Sequence, residues 1–316
     1  MSLYLALYKT FLPKRYNTYL KRAGGNMDKC HEALLYGTYY EEYDYYDFAH
    51  KSAAERRTYV TDAWRNKICR RINDRRQQSI IMDKYRTANF FNRYYGRAYM
   101  LVSSPDDRYS FLKFVQNEAS VVAKPTNDCA GRGVELLKGH ASADWNNHFD
   151  HIIAAGRPYI VEQLITQHTQ MARWNISSVN TIRVNTMIRN GKVDYITANI
   201  RVGRVGAFVD NCAQGGLCAN IDPTNGVIIT TACGHDEHRF SEHPDSHMPF
   251  VGNQIPLWQQ LLKTVAEMAL MLPKLCYCSW DFALTDKGWV LVEANKGELI
   301  ADQRNLQRGL RNEFTL

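Results

Sequence analysis

Residues 278–295 constrain this chain more than any other stretch, because acidic side chains sit inside an apolar alternation. Apolar residues alternate on both sides of Asp286-Lys287-Gly288, which predicts two short strands joined by a tight turn. A three-residue loop with glycine in the left-handed position pairs Thr285 with Trp289 and sets Asp281 opposite Glu293. Phe282, Leu284, Val290 and Val292 then share one face, and Ser279, Asp281, Glu293 and Asn295 share the other. A two-residue loop would shift the register by one and drive carboxylates among the apolar side chains, so the three-residue form is expected. Two carboxylates directly across a hairpin repel each other. A hard cation relieves that repulsion. Mg²⁺ takes one or two carboxylates, keeps several waters and completes its octahedron with substrate phosphates; Asn295 can add an amide oxygen. Hydrated acids on a solvated sheet face are the plain alternative, and the hairpin alone leaves both open.

At 316 residues the chain has room for several lobes with cores of their own. A net charge of +7 suits anionic partners such as nucleotides, acidic sugars or a phosphorylated carrier, without choosing among them. The eight cysteines include no CxxC pair, so they read as reduced thiols in a cytoplasmic protein. The apolar start, residues 2–8, is too short to span a bilayer. With Lys14, Arg15, Lys21 and Arg22 it leaves open a peripheral foot on the inner face of the membrane.

Residues 1–78 read as helices, with a basic run from Arg56 to Arg76. A solvated helix face is the favoured reading of that run over a docking face for an anionic carrier. Nucleic acid is the weakest partner, because no helix-turn-helix, zinc-finger or RNA-recognition signature accompanies the charge. From Ile80 onward helices alternate with strands. The strand Ser120-Val121-Val122-Ala123-Lys124-Pro125 ends in a lysine and runs into a loop holding Gly131 and Gly133. Such a loop can grip phosphate: glycines let backbone N–H groups approach, and the ammonium supplies charge. No Walker, Rossmann or protein-kinase signature is present. The hairpin of residues 177–201 carries Arg183 and Arg201 on neighbouring sheet positions, which points to an anion between them, with pairing to acids elsewhere in the chain as the alternative. Cys233, His235, His238, His243 and His247 match no closed four-ligand zinc spacing and read as a polar loop.

Taken in order, these pieces resemble the ATP-grasp superfamily and, more narrowly, the sugar-transfer-associated ATP-grasp group linked to cell-surface polysaccharide genes. The narrower match rests on Ser178-Val179-Asn180-Thr181-Ile182-Arg183, Val209-Asp210-Asn211 with Gly215-Gly216, Ile221-Asp222 with Gly226, His243-Pro244, Ile255-Pro256 with Trp258, and Trp280-Asp281. The resemblance implies an α+β fold: two α+β lobes, 79–165 and 166–316, clasping ATP behind a helical region of residues 1–78. It implies Lys84 and Lys124 on the phosphates, Gly131 and Gly133 in a loop closing over them, and Glu162, Gln163 and Leu164 beside adenine. Arg183 and Arg201 would face the transferred phosphoryl group, with Asn211 beside the reacting centre. Asp281, Glu293 and Asn295 would hold Mg²⁺, and His243 is a candidate base. The implied activity is ATP-dependent ligation of a carboxylate to an amine through an acyl phosphate. The carboxylate would lie on a sugar acid or an amino-acid substituent of a polysaccharide precursor. Two other readings stand beside it: phosphoryl transfer to a sugar hydroxyl, and a non-catalytic scaffold that docks glycosyltransferases.

Overall fold

The structure, a computed structural model, describes residues 3–128, 132–139, 141–235 and 238–315. Packing divides the chain into two units, Met1–Ile72 with Glu298–Leu316, and Asn73–Gly297.

The larger unit holds two antiparallel sheets. One takes β1 (Tyr99–Val102), β2 (Ser120–Pro125), β3 (Glu135–Lys138) and β4 (Tyr159–Gln163) in the order β1-β4-β2-β3. Val121, Ala123 and Val161 bury against Phe111, Phe149 and Ile152 of two helices, Arg108–Val115 and Ser142–Ala154. The other sheet takes β5 (Thr181–Arg189), β6 (Lys192–Val202), β7 (Leu217–Ile221), β8 (Ala232–Cys233), β9 (Arg239–Phe240), β10 (Tyr277–Thr285) and β11 (Gly288–Asn295). Its order is β11-β10-β5-β6-β7-β8-β9. Ile182, Val184, Ala198, Ile200, Trp280 and Phe282 occupy alternate positions and share the core with Leu261, Val265 and Met268 of the helix Trp258–Met271. The α+β architecture expected from the sequence is present.

The β10–β11 hairpin reaches its expected pairing by another route. Its turn has two residues, Asp286 and Lys287, so that Thr285 pairs with Gly288 and Leu284 with Trp289. Gly288 takes φ +107°, and the Thr285 hydroxyl donates to Gly288 O (2.8 Å) while accepting from Lys287 N (3.2 Å). A β-bulge between Asp281 and Phe282 leaves Val292 without a partner in the ladder and restores Asp281 opposite Glu293. Phe282, Leu284, Trp289 and Leu291 therefore form the apolar pairs, and Val290 stands opposite Ala283. The expected three-residue loop and the placing of Val290 and Val292 are corrected, because the extra residue sits in the strand and not in the turn.

Residues 227–231 form isolated bridges, Ile221 to Ile228 and Val227 to Gln254, in place of a full strand. Gly226 at φ +81° lies under Trp258, where a Cβ would stand 2.4 Å from the ring. The Trp258 indole donates to Pro223 O at 2.9 Å, seating the helix start on this turn.

The smaller unit is helical, and a buried amide is among the contacts that join its two segments, beside Arg311 N donating to Thr58 O at 2.8 Å and the Trp64–Phe314 ring contact. Gln303 Oε1 accepts from Val60 N (2.7 Å) and Leu310 N (3.1 Å). Its Nε2 donates to Tyr46 Oη and Val60 O, both at 2.9 Å. Every hydrogen-bonding position of this side chain is used. Residues 298–316 thus pack with the first 72, whereas the sequence reading grouped them with residues 166–297. Among the described residues no helix is long and apolar enough to cross a membrane, and none of the seven described cysteines forms a disulfide.

Gln303→Ala strands the N–H groups of Val60 and Leu310 in a buried setting. The expected cost is about 2–4 kcal/mol of unfolding free energy, read by denaturant titration of the full chain. An unchanged midpoint would show that the amide does not join the two segments.

Candidate active site

The face of the large sheet turned away from its core is polar in rows. Glu293, Asp281, Arg183, Asn199 and Asn220 stand side by side on β11, β10, β5, β6 and β7. A second row runs Asn295, Ser279, Asn185, Thr197. In it Ser279 donates to Asn185, whose Nδ2 donates to Thr197 Oγ1 at 2.8 Å. The strand that carries Arg183 is anchored at its start by Asn180, whose buried amide donates to Met171 O and Asn175 O, both at 2.8 Å.

Asp281 is 2% exposed. Arg183 grips it with a fork, Nε to Oδ1 and Nη2 to Oδ2, both at 2.7 Å. Arg201 Nη1 and Asn295 Nδ2 each reach Oδ2 at 3.4 Å. Burial would raise the Asp281 pKa, but the charge and hydrogen bonds of Arg183, with the charge of Arg201, hold it below the ordinary carboxylate value. Glu293 is partly exposed, and Lys84 Nζ lies 3.7 Å from its Oε1. Each carboxylate of the facing pair therefore has a cation of the protein beside it. The three residues expected to share one ion, Asp281, Glu293 and Asn295, stand together on β10 and β11. Arg183 takes both oxygens of Asp281, and Asn295 turns its amide nitrogen toward the same carboxylate. No group of three or more His, Cys, Asp or Glu side chains arranged for a metal occurs among the described residues.

A second buried acid organises the small sheet. Glu162, 1% exposed, accepts from Arg97 Nη2 at 3.0 Å and is bonded to Lys124 Nζ and Tyr95 Oη. Burial pushes its pKa up; the charges of Arg97 and Lys124 and the hydrogen bonds outweigh this and hold it at about 2. Arg97 also donates to Leu291 O at 2.8 Å, tying this cluster to β11. Gly96 permits that approach: it takes φ +65°, and a Cβ there would stand 2.4 Å from Val290 Cγ1. Lys84 Nζ donates to Asp128 O while facing Glu293.

The other expected residues fall as follows. Gln163 is engaged within its own lobe, accepting from Ala98 N (3.0 Å) and donating to Glu118 Oε1 (2.6 Å). Leu164 follows the end of β4 and is 38% exposed. Gly133 takes φ +66° with Pro125 against it, and Gly131 lies outside the described residues. Asn211 Oδ1 accepts from Ala213 N at 2.8 Å, capping the turn Cys212–Gln214. Beside it Asp210 accepts from Thr181 N at 3.1 Å and lies 4.0 Å from Arg201. His243 is buried, with Nε2 on Gly203 O (2.8 Å) and Nδ1 accepting from Asp245 N and Ser246 N (3.3 Å each). Both ring nitrogens are occupied, so it is not placed to shuttle a proton. Tyr95, Arg97 and Asp210 were given no role from the sequence. Asp210 lies inside a quoted motif, whereas Tyr95 and Arg97 carry no motif signal.

A family model described as sugar-transfer associated ATP-grasp matches residues 64–315. Solved structures similar to this chain include D-alanyl-alanine synthetase A from Vibrio cholerae (13% identity, 69% of this chain and 56% of that one, TM-score 0.43). Another is D-alanine–D-alanine ligase from Bacillus anthracis complexed with ATP (13%, 71% and 57%, 0.43). A third is D-alanine–D-alanine ligase from Helicobacter pylori (13%, 74% and 57%, 0.45). The match spans a little over half the length of each of these proteins. Likeness at that level carries no residue role or substrate to this chain. No curated protein matches it by sequence.

The depressed Glu162 pKa fixes a pH dependence. Its contribution is complete above the ordinary value of 4.5 and is lost as pH falls through about 2. The difference corresponds to about 3 kcal/mol. Glu162→Gln should destabilise the larger unit by about 3–5 kcal/mol at neutral pH, since it leaves Arg97 and Lys124 without their anion. It should also flatten the loss of stability between pH 4.5 and 2. Urea unfolding across that range measures both, and an unaltered acid limb would show that another carboxylate carries it.

Proposed function

The chain belongs to the sugar-transfer-associated ATP-grasp family, and from that membership we propose an ATP-dependent carboxylate–amine ligase that works through an acyl phosphate. The observation that most supports it is the approach of Lys84 to Glu293, at the end of a row that continues through Asp281 to Arg183. A cation from the start of the helix Lys84–Phe90 meets the acid row of the large sheet there. Lys84 and Lys124 would bind phosphate oxygens, with Gly131 and Gly133 in the loop over them. Leu164, beyond the paired part of β4, is the adenine contact of choice, with Glu162 and Gln163 fixing the strand behind it.

The donor set fits a divalent ion in part. Glu293 and Asn295 are partly exposed oxygen donors, while Arg183 holds both oxygens of Asp281. Glu293 and Asn295 would hold Mg²⁺, with Asp281 in reserve behind them. Bound there, the ion supplies neutralising charge for β- and γ-phosphate oxygens.

In the proposed reaction an oxygen of the substrate carboxylate bonds to the γ-phosphorus, and the bond from that phosphorus to the bridging oxygen breaks, releasing ADP. Arg183 and Arg201 spread the charge of the transferred group, as phosphoryl transfer requires more than covalent help. The amine nitrogen then bonds to the acyl carbon. Arg183 steadies the oxyanion, the carbon–oxygen bond to phosphate breaks, and the departing phosphate takes the amine proton. Asn211, held by its turn, flanks this centre. The family's association with sugar transfer favours a sugar acid, or an amino acid carried on a sugar, as the carboxylate.

Incubation with ATP, candidate acids and hydroxylamine should yield a hydroxamate. Phosphorylated sugar without hydroxamate from any acid would overturn ligation in favour of phosphoryl transfer to a hydroxyl group. Arg183→Ala should lower the ATP-consuming rate by about 10²–10³. Glu293→Gln should abolish Mg²⁺-dependent turnover while the circular dichroism stays native. Turnover at the parent rate in Glu293→Gln would remove that residue from the site.

A further inference from the structure

The helix Asp62–Ile72 of the smaller unit has two unlike faces. Asp62, Arg65 and Cys69 turn inward: Arg65 pairs with Asp62 at 3.0 Å, and Cys69 is 2% exposed. Ala63, Asn66, Lys67, Arg70 and Arg71 recur at helical spacing on the other face. Together with Tyr39 they line a cavity of about 500 Å³. Tyr39 is 52% exposed, so the wall includes an open aromatic ring.

Several other cations of this unit pair with acids, although among the described residues Lys14, Lys21 and Arg22 do not. Arg56 pairs with Asp28 (2.6 Å) and Glu32 (3.3 Å), Arg57 with Glu32, and Lys29 with Asp44. Lys67, Arg70 and Arg71 are exposed and make no ion pair among the described residues. Lys67 stands three and four residues before the two arginines, so the three like charges repel one another along one helix face. An anion in the cavity turns that repulsion into attraction. Two guanidinium forks and an ammonium match several phosphate oxygens at once, and three positive charges exceed what a single carboxylate neutralises.

We infer that this cavity binds a diphosphate-bearing ligand, with the diphosphate on Lys67, Arg70 and Arg71 and the attached group against Tyr39. The inference is separate from the ligase reading, since none of these residues takes part in the proposed chemistry. A soluble nucleoside diphosphate sugar and a lipid-linked diphosphate present the same chemistry.

Hydrogen exchange of the segment 62–72 in the full chain tests it, with inorganic pyrophosphate as the probe. Pyrophosphate should slow exchange there in the parent and in Lys124→Ala, whose changed side chain lies in the larger unit and takes no part in this cavity. In Lys67→Gln/Arg71→Gln the concentration for half-protection should rise at least about tenfold, with ATP turnover unchanged. The single change Arg70→Gln serves as a second variant should the double one fold poorly. Protection at lower concentration by UDP-glucose identifies the soluble source. Protection at lower concentration by phosphatidylcholine vesicles carrying a polyprenyl diphosphate identifies the lipid one. Absence of protection by all three probes, or equal protection in the variants, overturns the inference. So does protection by a single-stranded RNA oligonucleotide with no response to pyrophosphate.

Discussion

A carboxylate that is 2% exposed, with a second one directly across the ladder, is stable only where positive charge is built in beside it. Asp281 meets that condition through the fork of Arg183 and the nearby Arg201. The consequence spreads through the fold. Arg183 can reach Asp281 because β5 and β10 are neighbours in register, and that register depends on the apolar alternation of the same two strands. The core on one face of the sheet therefore positions the charges on the other.

The small sheet repeats the device. Glu162 draws Arg97 and Lys124 to one point, and Arg97 then reaches Leu291 O on the hairpin that carries Glu293. Both acids hold cations whose natural alternatives are phosphate oxygens. A carboxylate and a phosphate offer an arginine fork similar geometry. The proposed nucleotide would thus enter a site whose cations are already aimed, exchanging one set of oxygen partners for another.

Much of this was legible in the sequence, and the rest was hidden for identifiable reasons. Alternation revealed the strands, and the order of Lys124, Arg183, Asp281 and Glu293 along the chain carried the family resemblance. The bulge at Val292 was hidden because that residue continues the apolar run of Val290 and Leu291. The fork of Arg183 on Asp281 joins residues 98 positions apart, and no local pattern announces such a contact. His243 read as a candidate base by type alone, and only its three hydrogen bonds show it to be a structural residue. Gln163 read as part of the strand meeting adenine, and nothing local announced that its side-chain amide spans Ala98 and Glu118. The grouping of residues 298–316 with the start of the chain depends on Gln303 and Val60, which are 243 positions apart.

That last contact has a consequence for biogenesis. The first 72 residues leave the ribosome early, but the amide that completes their hydrogen bonding is translated only after all of residues 73–297. Until residue 303 is made, Val60 lacks the amide that pairs its N–H and C=O, whereas every strand pairing of the two sheets lies within residues 99–295. Order of folding would then run against order of translation, with the sheet-bearing insert settling first and the helical unit closing last.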